Sequence, residues 1–343
     1  MRRTAVKHVA IDLGGRESQI CIREADGTIV EERRYQTRLL PRLMKGWEPS
    51  RVIVETSAEA FAIADAALIS GHEVRVVPAT LVKTLGVGDR GMKTDKRDAR
   101  KLSEVSCRID LPSVHVPSEL SRRLKSVCGN REELIECRTK LINNARGWLR
   151  TQLWRVRTGA TSTFPERVRG HSTTTEHVLP DHIERTLTLI EAITVQIRVA
   201  DSELEQIAKT HPICQKLMTV PGVGPVTAIR FLAAIDDVTR FRNAHALQSY
   251  IGLTPGEHSS SDSERRTGIT KAGPSKLRRT LVQAAWCCLR SRSEDPMIRW
   301  GRELATRKHK FIAVVALARK LAGILFAMWR DGTTYRTPSE ATN

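Results

Sequence analysis

The stretch KTDKRDAR, residues 93 to 100, sets Asp95 and Asp98 three positions apart inside a run of lysine and arginine. On a helix, residues at i and i+3 are neighbours on one face, so the two carboxylates would project together and repel unless a cation lay between them. Taken alone, the stretch is equally a solvated helix start, with acids near the positive end of the helix dipole. Two further acids change that balance. Asp12 closes the apolar run VKHVAID and Glu55 closes RVIVE, so both fall at the ends of expected strands, where α/β folds keep ligand sites. Four carboxylates gathered there would require two divalent cations about 3.5 to 4 Å apart with hard oxygen ligands, and such a pair catalyses phosphoryl transfer. The flanking Lys93, Lys96, Arg97 and Arg100 would then meet nucleic-acid phosphates.

A second constellation is GLTPGEHSSSDSERRTGITKAGPSKLRR, residues 252 to 279. Adjacent serines in a polar segment ordinarily mean a flexible loop. Here Ser259, Ser260 and Ser261 are followed by Arg265, Arg266, Lys271, Lys276, Arg278 and Arg279, a cluster able to hold DNA phosphates beside a serine hydroxyl. A serine so placed can act as a nucleophile once activated, by His258, by metal or by an acid from elsewhere in the chain. In LMTVPGVGPVTAIRFLAAI, residues 217 to 235, Gly222 and Gly224 belong to a Pro-Gly-Val-Gly turn between two apolar helical stretches. Such a turn is either a helix-hairpin-helix that offers backbone N–H groups to a phosphate, or a plain αα-turn packed in a core.

The elements that must position these residues read clearly in the first third. VKHVAIDLGG, SQICIREADG and TIVEERRYQT alternate as three strands joined by short turns, and ADG is a hairpin signal. RVIVET is a fourth strand, SAEAFAIADAALISG a helix ending at Gly71, and HEVRVVPA a fifth strand before a closing helix opened by KTDKRDAR. This is the order of a ribonuclease H-like α/β domain. From about residue 118 the pattern turns helical. Leu120, Leu124, Val127, Leu134, Leu141, Ala145 and Trp148 fall near heptad spacing, as do Ile183, Leu187, Ile190, Ile197 and Leu204. Arg131, Arg138 and Asp201 interrupt these seams, and the helix pair is either an intramolecular hairpin or a dimer arm. Residues 157 to 178, polar and rich in Thr and Arg, are expected to be a loop.

Composition narrows the partner. The chain carries 56 Lys+Arg against 38 Asp+Glu, a net charge of +18, which points to a polyanion, most simply nucleic acid. The surplus is about +4 over residues 1 to 110, +3 over 111 to 210 and +11 over 211 to 343, so the C-terminal part is expected to be the main DNA-binding surface. Seven cysteines without a CxxC pair suggest neither a disulfide framework nor a zinc site. No uninterrupted apolar run of about 18 residues and no signal-peptide pattern are apparent, so a reduced cytoplasmic, nucleoid-associated bacterial protein without a membrane partner is expected.

AIDLGG, VIVETSAEAF and KTDKRDAR in the first third, with TVPGVGPVTA and YIGLTPGEHSSSDSERRTGITKAGPSKLRR in the last, resemble the bacterial insertion-sequence transposases of the IS110 type, also called DEDD or Piv/MooV-type recombinases. The resemblance covers nearly the whole chain in order. It implies a Holliday-junction-resolvase-like, ribonuclease H-like catalytic domain over 1–110, whose acidic tetrad of metal ligands matches Asp12, Glu55, Asp95 and Asp98. A coiled-coil linker or dimerisation region would occupy 111–210. A mainly helical transposase domain with a helix-hairpin-helix-like motif would follow over 211–343, its nucleophilic serine matching Ser260. The resemblance further implies strand exchange through a covalent phosphoserine intermediate, Mg²⁺ or Mn²⁺ at a composite site, a dimer or tetramer, and a structured bridge RNA that pairs with donor and target DNA. The protein would then read backbone and shape while the RNA reads sequence. Ser57-Ala58 replace the usual Thr-Gly after the glutamate and Ser261 replaces the usual Gly, which leaves Ser259, Ser260 and Ser261 all in play. Three rival readings remain, one of them an inactivated copy that only binds nucleic acid, against which the intact acidic tetrad argues. A metal-dependent junction resolvase or nuclease would need the four acids and not the serine. DLGG, residues 12 to 15, also resembles the phosphate loop of actin-like sugar kinases and ATPases, but that reading gives no reason for a charge of +18.

Overall fold

The computed structural model of the 343-residue chain describes residues 6–82, 95–174, 178–260 and 263–336, with backbone alone at 95, 257–260 and 263–267. The chain divides into two compact units, Met1–Pro117 and Ser118–Asn343.

In the first unit, β1 (His8–Asp12), β2 (Glu17–Arg23) and β3 (Ile29–Gln36) form an antiparallel meander. A short helix α1 (Leu40–Met44) leads to β4 (Arg51–Glu55), α2 (Ala60–Ile69), β5 (Glu73–Val77), a single turn α3 (Ala79–Val82) and α4 (Asp95–Arg108). The strands order as β3-β2-β1-β4-β5, with β1, β4 and β5 parallel. All five strands read from the sequence are present, because each alternates or runs apolar as a strand of a covered sheet must. Val9, Ile11, Val52 and Val54 face α1 and α2, while Ala10, Ile53 and Val77 face the other way, onto Leu102 of α4. Half of the outer strand β3 is charged, Glu31, Glu32, Arg33 and Arg34, which keeps an open sheet edge from pairing further. A Cβ on Gly14 would stand 2.4 Å from the Glu17 carbonyl oxygen, so the glycine in DLGG is accounted for by the tight β1–β2 turn.

The second unit opens with α5 (Glu119–Thr151), about 50 Å long at 1.5 Å per residue, capped by the Ser118 hydroxyl accepting from Ser121 N at 3.1 Å. Next comes α6 (Phe164–Thr174), a helix where the sequence suggested a loop. Its local signal is Pro165 in the first turn with Phe164 and Val168 one turn apart, and all three are buried. α7 (Asp181–Thr210) pairs with α5. Ile183, Leu187, Ile190, Ile197 and Leu204 are buried as the heptad spacing predicts. In α5 the match is looser: Leu120 is exposed, and Ile142 and Leu149 are more deeply buried than Leu141 and Trp148. A straight helix drifts against a strict seven-residue repeat, which moves the buried stripe by one position. Arg131 pairs with Asp201, and Arg138 donates to the Thr194 hydroxyl at 3.4 Å, so each residue that breaks the seams finds a polar partner on the facing helix, between two apolar clusters.

The rest of the unit is a helical core. It comprises α8 (Pro212–Leu217), α9 (Pro225–Ile235), α10 (Ala244–Ile251), the hairpin β6 (Pro255–Ser260) and β7 (Ser263–Ile269), α11 (Ser275–Arg290), α12 (Pro296–Arg307) and α13 (Lys310–Asp331). α9 is buried all round from Thr227 to Ile235. α13 is long and apolar enough to span a membrane by length and composition, although Arg319 and Lys320 interrupt its run. It packs against α10, α11 and α12 and buries Leu317, Leu321, Leu325 and Phe326 among them.

Candidate active site

The parallel register of β1 and β4 ends at Ile11↔Val54, one step before Asp12 and Glu55. The two acids therefore close neighbouring strands side by side, at the same end of the sheet. Side chains alternate along a strand, so Asp12 lies on the face of Ala10 and Glu55 on the face of Ile53, which is the face covered by α4. Asp98 lies on α4 and is 8% exposed, buried for a carboxylate. Asp95 opens α4, its side chain outside the described residues. The donor set, carboxylate oxygens without His or Cys, suits a hard divalent cation such as Mg²⁺ or Mn²⁺. Among the described residues, no group of three or more His, Cys, Asp or Glu is drawn close enough to hold an ion.

The cations around these acids divide into occupied and open. Arg100 grips Glu32 of β3 with its Nε and Nη2, the latter at 2.6 Å, and Lys96 Nζ stands 3.6 Å from the same carboxylate. The hydrogen bond from Arg100 holds the Glu32 carboxyl below the usual carboxylate range. Arg97 is exposed, and Lys93 lies outside the described residues.

In the second unit two of the serines expected in a loop, Ser259 and Ser260, lie on a hairpin strand. Ser260 is the last residue of β6 and pairs in register with Ser263, while His258 pairs with Arg265 and Glu257 with Arg266. The side chains of Ser259, Ser260, Arg265 and Arg266 are outside the described residues, as is Ser261 entirely. These strands follow no apolar alternation, which is why a strand pattern is hard to read there. The hairpin's foot is clasped by backbone. A Cβ on Gly252 would lie 2.4 Å from the Ala272 oxygen, and one on Gly273 would lie 1.9 Å from the Tyr250 oxygen. Both glycines have positive φ, +73 and +65 degrees, so the crossing needs glycine on both segments. Arg278 Nη1 donates across it to the carbonyls of Ile251 at 2.7 Å and Ala272 at 2.6 Å. Lys271 N donates to Gly252 O at 3.2 Å, and Thr270 N to Thr254 O at 2.9 Å. GLTP and TKAGP are thus two halves of one clasp.

Other members of the basic cluster reach toward α5. Glu132 accepts Arg230 Nη2 at 2.7 Å and lies 3.1 Å from Lys276 Nζ, and Arg279 Nη1 lies 3.6 Å from Glu136. The Arg230–Glu132 pair, with side chains 7% and 15% exposed, was not legible in the sequence, because its partners are far apart along the chain. Lys271 is exposed. At the Pro-Gly-Val-Gly turn, a Cβ on Gly222 would meet Cys288 Sγ at 2.3 Å, so this glycine, at φ +83 degrees, is needed for packing on α11. Gly224 caps α9 with open space beside it.

Comparison with known proteins places this arrangement. Residues 214–298, which span α9 to the start of α12 with the clasped hairpin, match the family described as Transposase IS116/IS110/IS902 family. Residues 9–152, which include Asp12, Glu55, Asp95 and Asp98, match a second family, described as Transposase. A transposase for insertion sequence element IS1111A of Coxiella burnetii is 30% identical over 250 residues, covering 71% of this chain and 68% of the relative. A probable family 20 transposase of Pseudomonas aeruginosa is 30% identical over 275 residues, covering 78% and 80%. A transposase for insertion sequence element IS1328 of Yersinia enterocolitica is 25% identical over 338 residues, covering 95% and 98%. The chain belongs to the IS110/IS116/IS902 family of insertion-sequence transposases.

Proposed function

We propose that this transposase exchanges DNA strands through a covalent phosphoserine formed at Ser260, with Asp12, Glu55, Asp95 and Asp98 holding Mg²⁺ or Mn²⁺ in a ribonuclease H-like domain. The observation that carries the reading is the placing of Asp12 and Glu55, side by side on the sheet face that α4 covers with Asp98. The Ser260 oxygen attacks a DNA phosphorus, the bond to one deoxyribose oxygen breaks, and the serine proton passes to a base that returns a proton to that oxygen, which leaves as a hydroxyl. A divalent cation held by these carboxylates would supply positive charge against the charge developing on the phosphoryl oxygens. The carboxylates orient it, and the hairpin clasp, through Gly252, Gly273 and Arg278, fixes where β6 delivers Ser260.

Donor and target DNA, with a structured bridge RNA that pairs with both, are the partners this reading assigns. The charge of +18 supports a polyanion partner. Exposed Arg97 and Lys271 and the open backbone at Gly224 are candidate phosphate contacts, with Arg265 and Arg266 of β7, while Lys276 and Arg279 would exchange their partners Glu132 and Glu136 for phosphate. A homo-oligomer is supported by the exposed apolar pair Val195 and Val199, one turn apart on α7, which a second copy would cover.

The test incubates purified protein with its flanking RNA, Mg²⁺ and labelled donor and target DNA, and looks for protein-linked DNA on a denaturing gel. Adducts lost in both Ser260→Ala and Asp98→Asn are expected. Free cleaved ends that persist in Ser260→Ala would replace the serine mechanism with that of a metal nuclease.

A further inference from the structure

We infer that the far end of α5 carries a second nucleic-acid site, in which Arg146, Arg150, Arg155 and Arg157 bind a phosphodiester backbone. The inference rests on the reading of this chain as a nucleic-acid-handling transposase and assigns it a contact surface outside the basic C-terminal cluster.

Where α5 ends and the chain turns back to α6, the four arginines line one cavity of about 910 Å³, together with Trp154 and Phe164. All four are exposed, and none takes part in an ion pair among the described residues. Of the acids in the first turns of α7, Glu184 and Glu191 are both taken by Arg169 of α6, at 2.6 Å and 2.5 Å, and the exposed Asp181 makes no ion pair with the four arginines among the described residues. From residue 146 to residue 167 the sequence holds five arginines against one carboxylate, Glu166. Like charges converging without counter-ions raise the free energy of the unliganded protein, and a polyanion relieves it.

The cavity is built rather than incidental. Arg167 donates from Nε to Arg157 O at 3.2 Å and from Nη1 to Ala160 O at 2.9 Å, tying down the loop that bears Arg155 and Arg157. A Cβ on Gly159 would fall 2.7 Å from that same Nη1, so the guanidinium packs directly against the bare backbone of the loop. Arg146 is held over the Phe164 ring at 5.3 Å, and Trp154 is wedged edge-on against Trp148 and His171 at 5.7 Å and 5.5 Å. Aromatic walls under exposed, planar guanidinium forks are suited to successive phosphates, which arginine grips in pairs of hydrogen bonds. The net charge of the middle third, only about +3, hides this site because acids elsewhere along the helices offset it.

The experiment measures binding of the full chain to a labelled DNA duplex and to a labelled RNA hairpin by fluorescence anisotropy, as a function of salt. Wild type is compared with the triple variant Arg150→Ala/Arg155→Ala/Arg157→Ala and with the equal-charge control Lys140→Ala/Arg185→Ala/Arg198→Ala. Circular dichroism checks that each is folded. Each lost phosphate contact lowers the slope of log K against log salt by roughly 0.7 to 0.9, so the triple variant should lose about 2 to 3 from that slope. Loss on the duplex alone assigns the site to DNA, and loss on the hairpin alone assigns it to RNA. A triple variant indistinguishable from the control on both probes, with wild type binding normally, overturns the site and leaves the proposed function standing. Failure of the wild type to bind either probe overturns both.

Discussion

Replacing Gly273 by alanine tests whether the clasp between GLTP and TKAGP holds the serine hairpin in place. The new Cβ would sit 1.9 Å from the Tyr250 carbonyl oxygen, where ordinary contact begins at 3.4 Å, and the opposing atom is backbone that cannot rotate away. Parting the segments far enough strains or breaks the bonds that cross there, from Arg278 Nη1 to Ile251 O and Ala272 O and from Lys271 N to Gly252 O. Each such bond is worth about 0.5 to 1.5 kcal/mol net, and the left-handed backbone costs a non-glycine residue about 1 to 2 kcal/mol. A loss of about 3 to 5 kcal/mol follows. Urea unfolding followed by tryptophan fluorescence reports it directly, since Trp286, Trp300 and Trp329 all pack against the core of this unit. Protein-linked DNA should fall in parallel, because β6 leaves the clasp at Pro255 and ends at Ser260. A Gly273→Ala chain with the wild-type unfolding midpoint would refute the reasoning, since no rearrangement of side chains alone can make that room.

Gly147→Ala should have the opposite sign. This glycine is exposed inside α5 with nothing within 4 Å of a Cβ, so alanine should raise stability by about 0.5 to 1 kcal/mol in the same urea experiment. Glu132→Ala should cost about 3 to 5 kcal/mol, because it strands the buried Arg230 guanidinium, and Glu132→Gln should cost less. Among the thiols, exposed Cys137 and Cys287 should react promptly with a chromogenic disulfide in the folded protein, whereas Cys21, Cys128, Cys214 and Cys288 should react only on unfolding. Burial pushes Cys214 up to about 12 and Cys288 up to about 11. The unfolded chain releases these protons near pH 8.5 while the folded chain keeps them, so stability is full below that pH and declines above it toward pH 11 to 12. Unfolding midpoints between pH 8 and 10.5 that fall no less steeply for Cys214→Ala than for wild type would contradict that assignment.

Much of this protein was legible before its structure. Alternation set the five strands, and strand-end position singled out Asp12 and Glu55, because both signals are periodic and local. The heptad spacing marked α5 and α7 for the same reason. Family motifs in the first and last thirds named the right family, since they sample a long stretch of chain in order. What the sequence could not say was which charges are occupied. Arg100 and Lys96 turn to Glu32, Lys276 to Glu132, Arg279 to Glu136 and Arg278 to two carbonyls, each through a contact between residues distant in the chain or bent back by a turn. The clasp of Gly252 against Gly273, the helix inside a Thr- and Arg-rich stretch and the convergence of four arginines at the end of α5 likewise exist only once the chain has closed on itself. Hydrophobic periodicity decides where elements run, whereas Coulomb and steric terms depend on distance in space, and only the tertiary structure supplies that distance.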